Sequence, residues 1–285
     1  MKAGNEPERP ACAPVGFHVT VRGASHFRKG AACQDYSRSA VFGDAAAAAV
    51  ADGHGDARYF RSAAGSRFAA EAAMKAVKEF VRRESAESLC GGAEEKLRQL
   101  EKNIILNWNR RVAAHYGKHP FLETELEPLS ERRRSLLQSG GLVETAYGTT
   151  LIAAAAAPGY WFGLQIGDGD CFAVSPDGEE TPVPKDGGLA GNVTTSLCEP
   201  DAFYRFHHVF RPEAPAAVVL STDGVRNSFS SGEHYRSFME RVVSEFSGGR
   251  KEETESDLRE FLAEMTERGS GDDLSVAGIV AGKAV

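Results

Sequence analysis

The sequence predicts an α+β fold in which short strands form a central sheet or sandwich and hairpins of helices pack on its faces. Two features of the sequence support this prediction. Short apolar runs that end in turn signals alternate with longer stretches in which apolar residues recur at the helical spacing. Their order along the chain is strands, a helix pair, strands, a second helix pair and a final strand.

Four stretches show the apolar periodicity of amphipathic helices. They span residues 57–84, 97–112, 235–246 and 258–265. A glycine-containing loop at residues 90–92 separates the first two, which predicts an antiparallel helical hairpin. The apolar faces of these helices must be buried, which requires a sheet for them to pack against.

Six regions are predicted to supply the strands, each of them ending in a turn signal. They span residues 16–23, 36–52, 149–157, 160–174, 216–221 and 274–280. Two regions contain alanine runs, at residues 45–49 and 153–157, which favour helix by intrinsic propensity. Because both runs are brief and lie beside valine or leucine, we expect tertiary packing to make them strands.

The overall composition excludes some classes of partner. The formal net charge is −7, from 33 basic and 40 acidic residues, so the surface repels polyanions and nucleic acid is not an expected partner. Residues 151–166 form the most apolar stretch, but a Pro-Gly pair interrupts it, and a membrane span needs about 20 continuous apolar residues. We therefore expect no membrane partner and a cytoplasmic location.

Residues 1–14 are polar, with Glu6, Glu8 and Arg9 where a secretory signal would need an apolar core. We expect them to form a short tail and residues 15–283 to form one domain. The five cysteines are scattered and never spaced as Cys-x-x-Cys, which argues against a disulfide framework or a zinc site. They are expected to be reduced thiols.

Four segments share a pattern in which an apolar strand leads into a turn that carries an aspartate. They are VADGHG at residues 50–55, LQIGDGD at 164–170, LSTDG at 220–224 and GDDL at 271–274. Each one alone is a common turn signal. Because all four lie at strand ends of one predicted core, we expect their carboxylates to converge on a single cleft.

Converging carboxylates predict a metal site. Without basic partners they repel and raise one another's pKa, so such a cluster stays ionised only if cations neutralise it. Oxygen ligands alone select Mg²⁺ or Mn²⁺ rather than zinc. Two such cations about 4 Å apart can activate a water in line with phosphorus and stabilise charge on the phosphate oxygens. The expected chemistry is hydrolysis of a phosphate monoester.

The motifs also follow one another in a recognisable order. They read Gln34-Asp35, Asp52-Gly53-His54-Gly55, Gly148-Thr149-Thr150, Gly167-Asp168-Gly169, Asp223-Gly224 and Asp272-Asp273. In this order the sequence resembles, over nearly its whole length, the metal-dependent serine/threonine phosphatases of the protein phosphatase 2C family, in a bacterial-type branch. The resemblance implies a four-layer αββα fold, an antiparallel β-sandwich flanked by antiparallel helix pairs. It also implies a phosphorylated protein substrate with phosphoserine or phosphothreonine esters.

The resemblance assigns a coordination role to several of these residues. Asp52 would bridge two divalent cations, Mn²⁺ or Mg²⁺, with Asp35 and the Gly53 carbonyl completing one coordination sphere. Asp223 and Asp272 would bind the other cation.

Three assignments have alternatives. Asp168 would serve a third, weaker metal site or orient waters, and Asp272 is ambiguous with Asp273 by one position. His54 is a candidate proton donor to the leaving alkoxide, since imidazole titrates near neutrality. An equal alternative is that His54 only fixes its own turn.

The sequence departs from the family pattern at Gln34, where glutamate is found in eukaryotic relatives, so one candidate ligand is an amide. Asp170 replaces an arginine that often follows the Gly167-Asp168-Gly169 motif, and Asp56 replaces a glycine. Both added carboxylates are expected to alter metal affinity or the third metal site.

Several segments are candidates for contact with the substrate. Arg28 and Lys29 are the nearest basic residues to the first acidic motif, and His26 also precedes it, although a histidine in a loop is more often structural. Residues 175–215 are turn-rich and lie between two core strands, so they are expected to form a flap over the cleft.

Two other functions are weighed against a phosphatase. A phosphatase-like binding or regulatory module would have lost turnover, and the presence of all four aspartates speaks against it. A different metal hydrolase, such as a phosphodiesterase, would usually mix histidines with carboxylates, and only His54 is placed to help. Cys33 lies beside the first motif, but no His-Cys-x5-Arg phosphate loop exists to make it a nucleophile.

Overall fold

A computed structural model describes residues 13–185 and 194–281, in which two antiparallel sheets pack face to face between two layers of helices. The strands are β1 (Val15–Val21), β2 (Asp35–Phe42), β3 (Ala45–Asp52), β4 (Leu151–Ala157), β5 (Tyr160–Ile166), β6 (Asp170–Val174), β7 (Glu180–Pro182), β8 (His207–Arg211), β9 (Ala217–Ser221) and β10 (Leu274–Val280). The helices are α1 (Ala24–Lys29), α2 (Ser62–Arg83), α3 (Ala86–Leu89), α4 (Ala93–Lys118), α5 (Glu123–Leu126), α6 (Glu131–Gln138), α7 (Ala202–Arg205), α8 (Asp223–Asn227), α9 (Gly232–Phe246) and α10 (Lys251–Arg268).

The order of the strands brings distant parts of the chain together. One sheet has the order β1-β10-β9-β6-β7, and the other has the order β2-β3-β4-β5-β8. Because β1 pairs with β10, Val21 stands opposite Leu274 in the register. The turn that follows Val21 therefore lies beside the acidic pair that precedes Leu274.

The alanine runs form strands because both of their faces are buried. Ala46 and Ala48 of β3 lie in the core between the two sheets, where they join Ala277 and Ile279 of β10. Their neighbours Ala47 and Ala49 point the other way and pack in the helix-covered core. The expectation that tertiary packing outweighs helix propensity in these runs is confirmed.

One helical hairpin covers each outer face of the sandwich. Helices α2 and α4 bury residues such as Phe68 and Leu97 in the core on the sheet that contains β3. Helices α9 and α10 bury Met239 and Leu262 on the sheet that contains β9. The four-layer αββα arrangement is therefore confirmed.

Helix α2 approaches its neighbours closely at a glycine. A Cβ atom at Gly65 would lie 1.9 Å from the carbonyl oxygen of Tyr147. The indole Nε1–H of Trp108 on α4 donates to the carbonyl oxygen of Gly65 at 3.1 Å. The absence of a side chain at Gly65 thus lets three segments of the helical layer meet.

The first predicted helix starts later than its periodicity suggests. Asp56 accepts a hydrogen bond from the backbone N–H of Arg58 and caps a short 3₁₀ turn at Ala57–Tyr59. Helix α2 begins only at Ser62. The prediction of one helix over residues 57–84 is therefore wrong before Ser62, because the side chain of Asp56 favours a separate turn.

The prediction that residues 175–215 form a flap is wrong for the parts of this segment that join the sheets. Strand β7 pairs with β6, and β8 pairs with β5. Both are short edge strands, and polar residues such as His207 and His208 hide the apolar alternation that would reveal β8. Residues 186–193 of the predicted flap lie outside the described residues.

Within residues 13–185 and 194–281, no helix has both the length and the apolar character needed to cross a lipid bilayer. Residues 1–12 of the predicted tail lie outside the described residues, as do residues 282 and 283 of the predicted domain.

Candidate metal centre

Two candidate ligands lie side by side at the ends of neighbouring strands. Asp35 begins β2, Asp52 ends β3, and the two residues are direct partners in the antiparallel register. The Asp35 carboxylate is buried and accepts a hydrogen bond from the Thr222 hydroxyl at 2.8 Å. Burial, followed by the negative charge of Asp273, raises the pKa of Asp35 well above its usual range.

Asp52 connects this pair to the second sheet. Burial raises the pKa of the Asp52 carboxyl well above its usual range, and the charges of Asp35, Asp223 and Asp272 add to the effect. Asp223 follows β9 at the start of α8, within hydrogen-bonding reach of the Asp52 carboxyl. Its own pKa is raised by burial and by the charge of Asp168. The candidate carboxylates therefore interact electrostatically across the two sheets.

The structure separates the roles of Asp272 and Asp273. The Asp273 side chain is 2% exposed, and its carboxylate accepts hydrogen bonds from the backbone N–H groups of Gly23 and Gln34, each at 2.6 Å. The Asp272 side chain is 53% exposed, and its charge acts on Asp35, Asp52 and Asp223. The geometry thus favours Asp272 over Asp273 as the candidate ligand.

Asp168 lies at the edge of the cluster, in the turn between β5 and β6. Gly167 takes a positive φ of 113°, which turns the chain there and favours glycine. The Lys185 ammonium donates to the Asp168 carbonyl oxygen at 3.0 Å and to the Asp170 carboxylate at 2.8 Å. Asp170, one of the departures from the family pattern, is therefore paired with a lysine.

Gly53 is held against the first acidic motif by its backbone. Its N–H donates to the Gln34 carbonyl oxygen at 3.1 Å, and a Cβ atom at Gly53 would lie 2.7 Å from that oxygen. The Gln34 side chain donates to the Ser62 hydroxyl at 2.7 Å and to the His54 carbonyl oxygen at 3.3 Å. The side-chain amide of Gln34 thus ties the turn that follows Asp52 to the start of helix α2.

His54 packs closely within its own turn. Its ring centroid lies 4.6 Å from that of Tyr59, and its backbone N–H donates to the Gly148 carbonyl oxygen at 3.2 Å. Burial, with a smaller contribution from the charge of Arg58, lowers the pKa of His54 to about 4. The imidazole is therefore uncharged near neutral pH.

The remaining candidates have different positions. Arg28 and Lys29 are exposed at the end of α1, and no described residue forms an ion pair with either. His26, on the same helix, contacts the Asp273 carboxylate through Nδ1 at 2.9 Å. Sequence reasoning missed Thr222, which supports Asp35; a hydroxyl residue directly before the Asp223 motif was the available signal.

The donor set fits hard divalent cations by its chemistry. The candidate side-chain ligands are carboxylates, and none of the described lysines and arginines forms an ion pair with Asp35, Asp52 or Asp223. Across the described ranges, however, no group of three or more His, Cys, Asp or Glu residues is already at a spacing that could hold a metal ion.

Solved structures share this fold. The catalytic domain of the serine/threonine phosphatase PstP, in complex with two manganese ions, has 20% identity and a TM-score of 0.56, covering 95% of this chain and 99% of that chain. PstP from Mycobacterium tuberculosis has 15% identity and a TM-score of 0.55, covering 95% and 100%. PppA from Pseudomonas aeruginosa, a regulatory component of T6SS, has 13% identity and a TM-score of 0.55, covering 95% and 99%.

The sequence comparisons give the family. No curated protein sequence matches the chain. The sequence model of the protein phosphatase 2C family matches residues 22–263, which is most of the chain. The chain therefore belongs to the protein phosphatase 2C family.

Proposed function

We propose that this protein is a metal-dependent phosphatase that hydrolyses phosphoserine or phosphothreonine esters of phosphoproteins. The observation that carries the proposal is the meeting of Asp35, Asp52, Asp223 and Asp272 from four strand ends, where burial and mutual repulsion raise the pKa of three of the four carboxyls. Family membership supports the reaction class. The manganese ions in PstP support the choice of Mn²⁺ or Mg²⁺.

In this proposal Asp52 would be shared between two cations. Asp35 and the Gly53 carbonyl would hold one cation, while Asp223 and Asp272 would hold the other. Asp168 would serve an outer, weaker site or orient water. When bound, the cations supply Lewis-acid activation of a water and charge stabilisation at the phosphate oxygens.

The protein itself supplies the positioning of these groups. Thr222 fixes one oxygen of Asp35, and its own oxygen accepts the backbone N–H of Ser275 at 3.1 Å. Gln34 holds the His54 turn against α2 through Ser62. The bond between Thr222 and Asp35 crosses between the two sheets, whereas the Gln34 contacts fix the turn that follows Asp52.

The role of His54 stays a prediction. With its pKa lowered to about 4, His54 would act near pH 7 through a neutral ring N–H rather than as an imidazolium. Its packing against Tyr59 and its backbone bond to Gly148 favour the turn-fixing role. We therefore propose Asp52 as the firmer catalytic assignment.

We also propose that residues 15–283 form a single catalytic domain. The first and last strands pair with each other in one sheet, and the other sheet consists of strands from the middle of the chain. Neither sheet could be completed by one half of the chain alone.

Hydrolysis of an aryl phosphate and of a phosphothreonine peptide in the presence of Mn²⁺ tests the proposal. Asp52→Asn is expected to lower turnover by about 10²–10³-fold, because it removes a carboxylate shared by both cations. Asp44→Asn is the matched control, since Asp44 is exposed in the turn at the far end of the same strand pair. Equal turnover by wild type and Asp52→Asn would refute the mechanism.

The rival function is a phosphatase-like binding module. It is supported by the absence, in the described ranges, of a preassembled metal-ligand group, and by Gln34 in place of a carboxylate. A wild-type protein that binds a phosphopeptide but turns over neither substrate with Mn²⁺ would establish this alternative.

A further inference from the structure

A buried carboxylate holds His26 beside the metal centre. The Nδ1 atom of His26 lies 2.9 Å from the Asp273 carboxylate, whose oxygens also accept the backbone N–H groups of Gly23 and Gln34. The Asp273 side chain is 2% exposed and that of His26 is 16% exposed. Asp273 therefore joins three separate points of the chain and fixes the orientation of one imidazole ring.

The backbone around His26 is attached to the Asp272 turn by further contacts. Ser25 N–H donates to the Gly271 carbonyl oxygen at 2.9 Å. The Thr266 hydroxyl donates to the Asp272 carbonyl oxygen at 2.7 Å and accepts the Ala24 N–H at 3.0 Å. Helix α1 and the Asp272 turn thus form one connected unit.

A glycine permits this close approach. A Cβ atom at Gly23 would lie 2.4 Å from the backbone carbonyl carbon of Asp272. A side chain at this position would push helix α1, and His26 with it, away from the candidate ligand.

The hydrogen bonds define which ring nitrogen of His26 is available. An ionised carboxylate only accepts, so Nδ1 is the nitrogen that carries the proton toward Asp273. In the neutral ring this leaves the lone pair on Nε2. The Nε2 atom lies 4.0 Å from Oδ1 of Asp272. A histidine that donates one ring N–H to a carboxylate and presents the other nitrogen to a cation is a recurrent arrangement in metal sites.

We propose that His26 Nε2 and Asp272 form a nitrogen–oxygen ligand pair for a transition-metal cation such as Mn²⁺, with Asp273 as the residue that positions the ring. This inference rests on the proposed function, because it adds a ligand to the same cluster. An imidazole ligand suits transition metals better than Mg²⁺, which prefers oxygen. The ligand pair would therefore favour Mn²⁺ over Mg²⁺.

A simpler role for His26 is to link α1 to the Asp272 turn without contacting a cation. The two roles differ in a property that activity does not report, the direct bond between nitrogen and metal. Pulsed electron paramagnetic resonance of bound Mn²⁺ detects that bond as a nitrogen hyperfine coupling.

The test adds Mn²⁺ to the metal-free full-length chain and records this coupling with unlabelled and with ¹⁵N-histidine protein. We expect a histidine nitrogen coupling in the wild type that disappears in His26→Gln and persists in the matched variant His54→Gln. Independently of any variant, the labelled wild type shows whether a histidine binds the cation, and the absence of a coupling there would overturn the inference.

Affinity measurements complete the test. Asp273→Asn is expected to weaken Mn²⁺ binding by about 10–100-fold, as for other residues that orient a metal-binding histidine, and to affect Mg²⁺ binding much less. Bound Mn²⁺ without a nitrogen coupling, or with a coupling that survives in His26→Gln, would overturn the inference and leave the proposed function intact. A wild-type protein that binds no Mn²⁺ would overturn both.

Discussion

Asp52 ends a strand of one sheet and Asp223 follows a strand of the other, yet their carboxyl groups lie within hydrogen-bonding reach of each other. Burial and the surrounding negative charges raise the pKa of both groups. Such a pair is unfavourable when both groups are ionised and no cation is present. The cluster therefore lowers the stability of the metal-free fold, as expected of a binding site.

Replacing Asp52 by asparagine should stabilise the metal-free protein, because the substitution removes one repelling carboxylate and keeps a similar shape. For a domain of this size each kcal/mol gained would raise Tm by about 2–4 °C. Mn²⁺ should raise Tm of the wild type and not that of Asp52→Asn. Thermal unfolding with and without Mn²⁺ measures both effects, with Asp44→Asn as the control; a lower Tm for metal-free Asp52→Asn would contradict the repulsion argument.

Thr222→Val should weaken Mn²⁺ binding and destabilise the fold. The substitution removes the hydroxyl that donates to Asp35 and accepts the Ser275 N–H, so the buried Asp35 carboxylate loses one of its hydrogen bonds and the Ser275 N–H loses this acceptor. We expect a loss of about 1–3 kcal/mol in the free energy of unfolding. Denaturant unfolding and a Mn²⁺ titration provide the measurements, and Thr222→Ser, which keeps the hydroxyl, should restore both properties.

Gly23→Ala should disrupt the contact between α1 and the Asp272 turn, since its Cβ atom would lie 2.4 Å from a backbone carbon. We expect a loss of about 1–3 kcal/mol in stability, together with weaker Mn²⁺ binding. The control is Gly91→Ala, because a Cβ atom at Gly91 meets nothing within 4 Å. Equal stability of the two alanine variants would show that α1 can shift at no cost.

His208, which lies away from the candidate metal centre, should make the stability of the fold depend on pH. Burial acts to lower the pKa of His208, but hydrogen bonds from its ring to Glu101 and Glu94, at 2.6 and 2.8 Å, outweigh it and raise the pKa. A raised pKa in the folded state means that the protonated ring stabilises the fold below the unfolded pKa of about 6.5. This contribution is lost as the pH rises through the folded pKa.

The free energy of unfolding of wild type and His208→Gln, measured at pH 6 and pH 9, checks this sign. The stability difference between the two proteins should be larger at pH 6 than at pH 9. A difference that grows toward pH 9 would mean that the neutral ring, rather than the ion pair with Glu101, provides the stabilisation.

Much of the fold could be predicted from local sequence. The flanking valine or leucine and turn residues indicated that the alanine runs are strands, and apolar periodicity indicated the helical hairpins. The edge strand β8 could not be predicted, because each of its faces mixes polar residues with a single apolar one and its pairing with β5 is a tertiary contact.

The candidate site shows the same limit. Strand-end aspartates such as Asp52 and Asp223 were visible as motifs, whereas the choice between Asp272 and Asp273 depends on which side of the turn is buried. Asp273 is the buried one because the N–H groups of Gly23 and Gln34, which are far from it in sequence, donate to its carboxylate. Partnerships across such sequence separations, including that of His26 with Asp273, leave no local pattern.

The most direct test of the central claim is a calorimetric titration of the metal-free full-length chain with Mn²⁺. The account predicts that the wild type binds two cations and that Asp52→Asn, which lacks the shared carboxylate, loses binding at both sites. Asp44→Asn should bind like the wild type. Unchanged Mn²⁺ binding by Asp52→Asn, or no binding by the wild type, would contradict the claim that these aspartates form a metal centre.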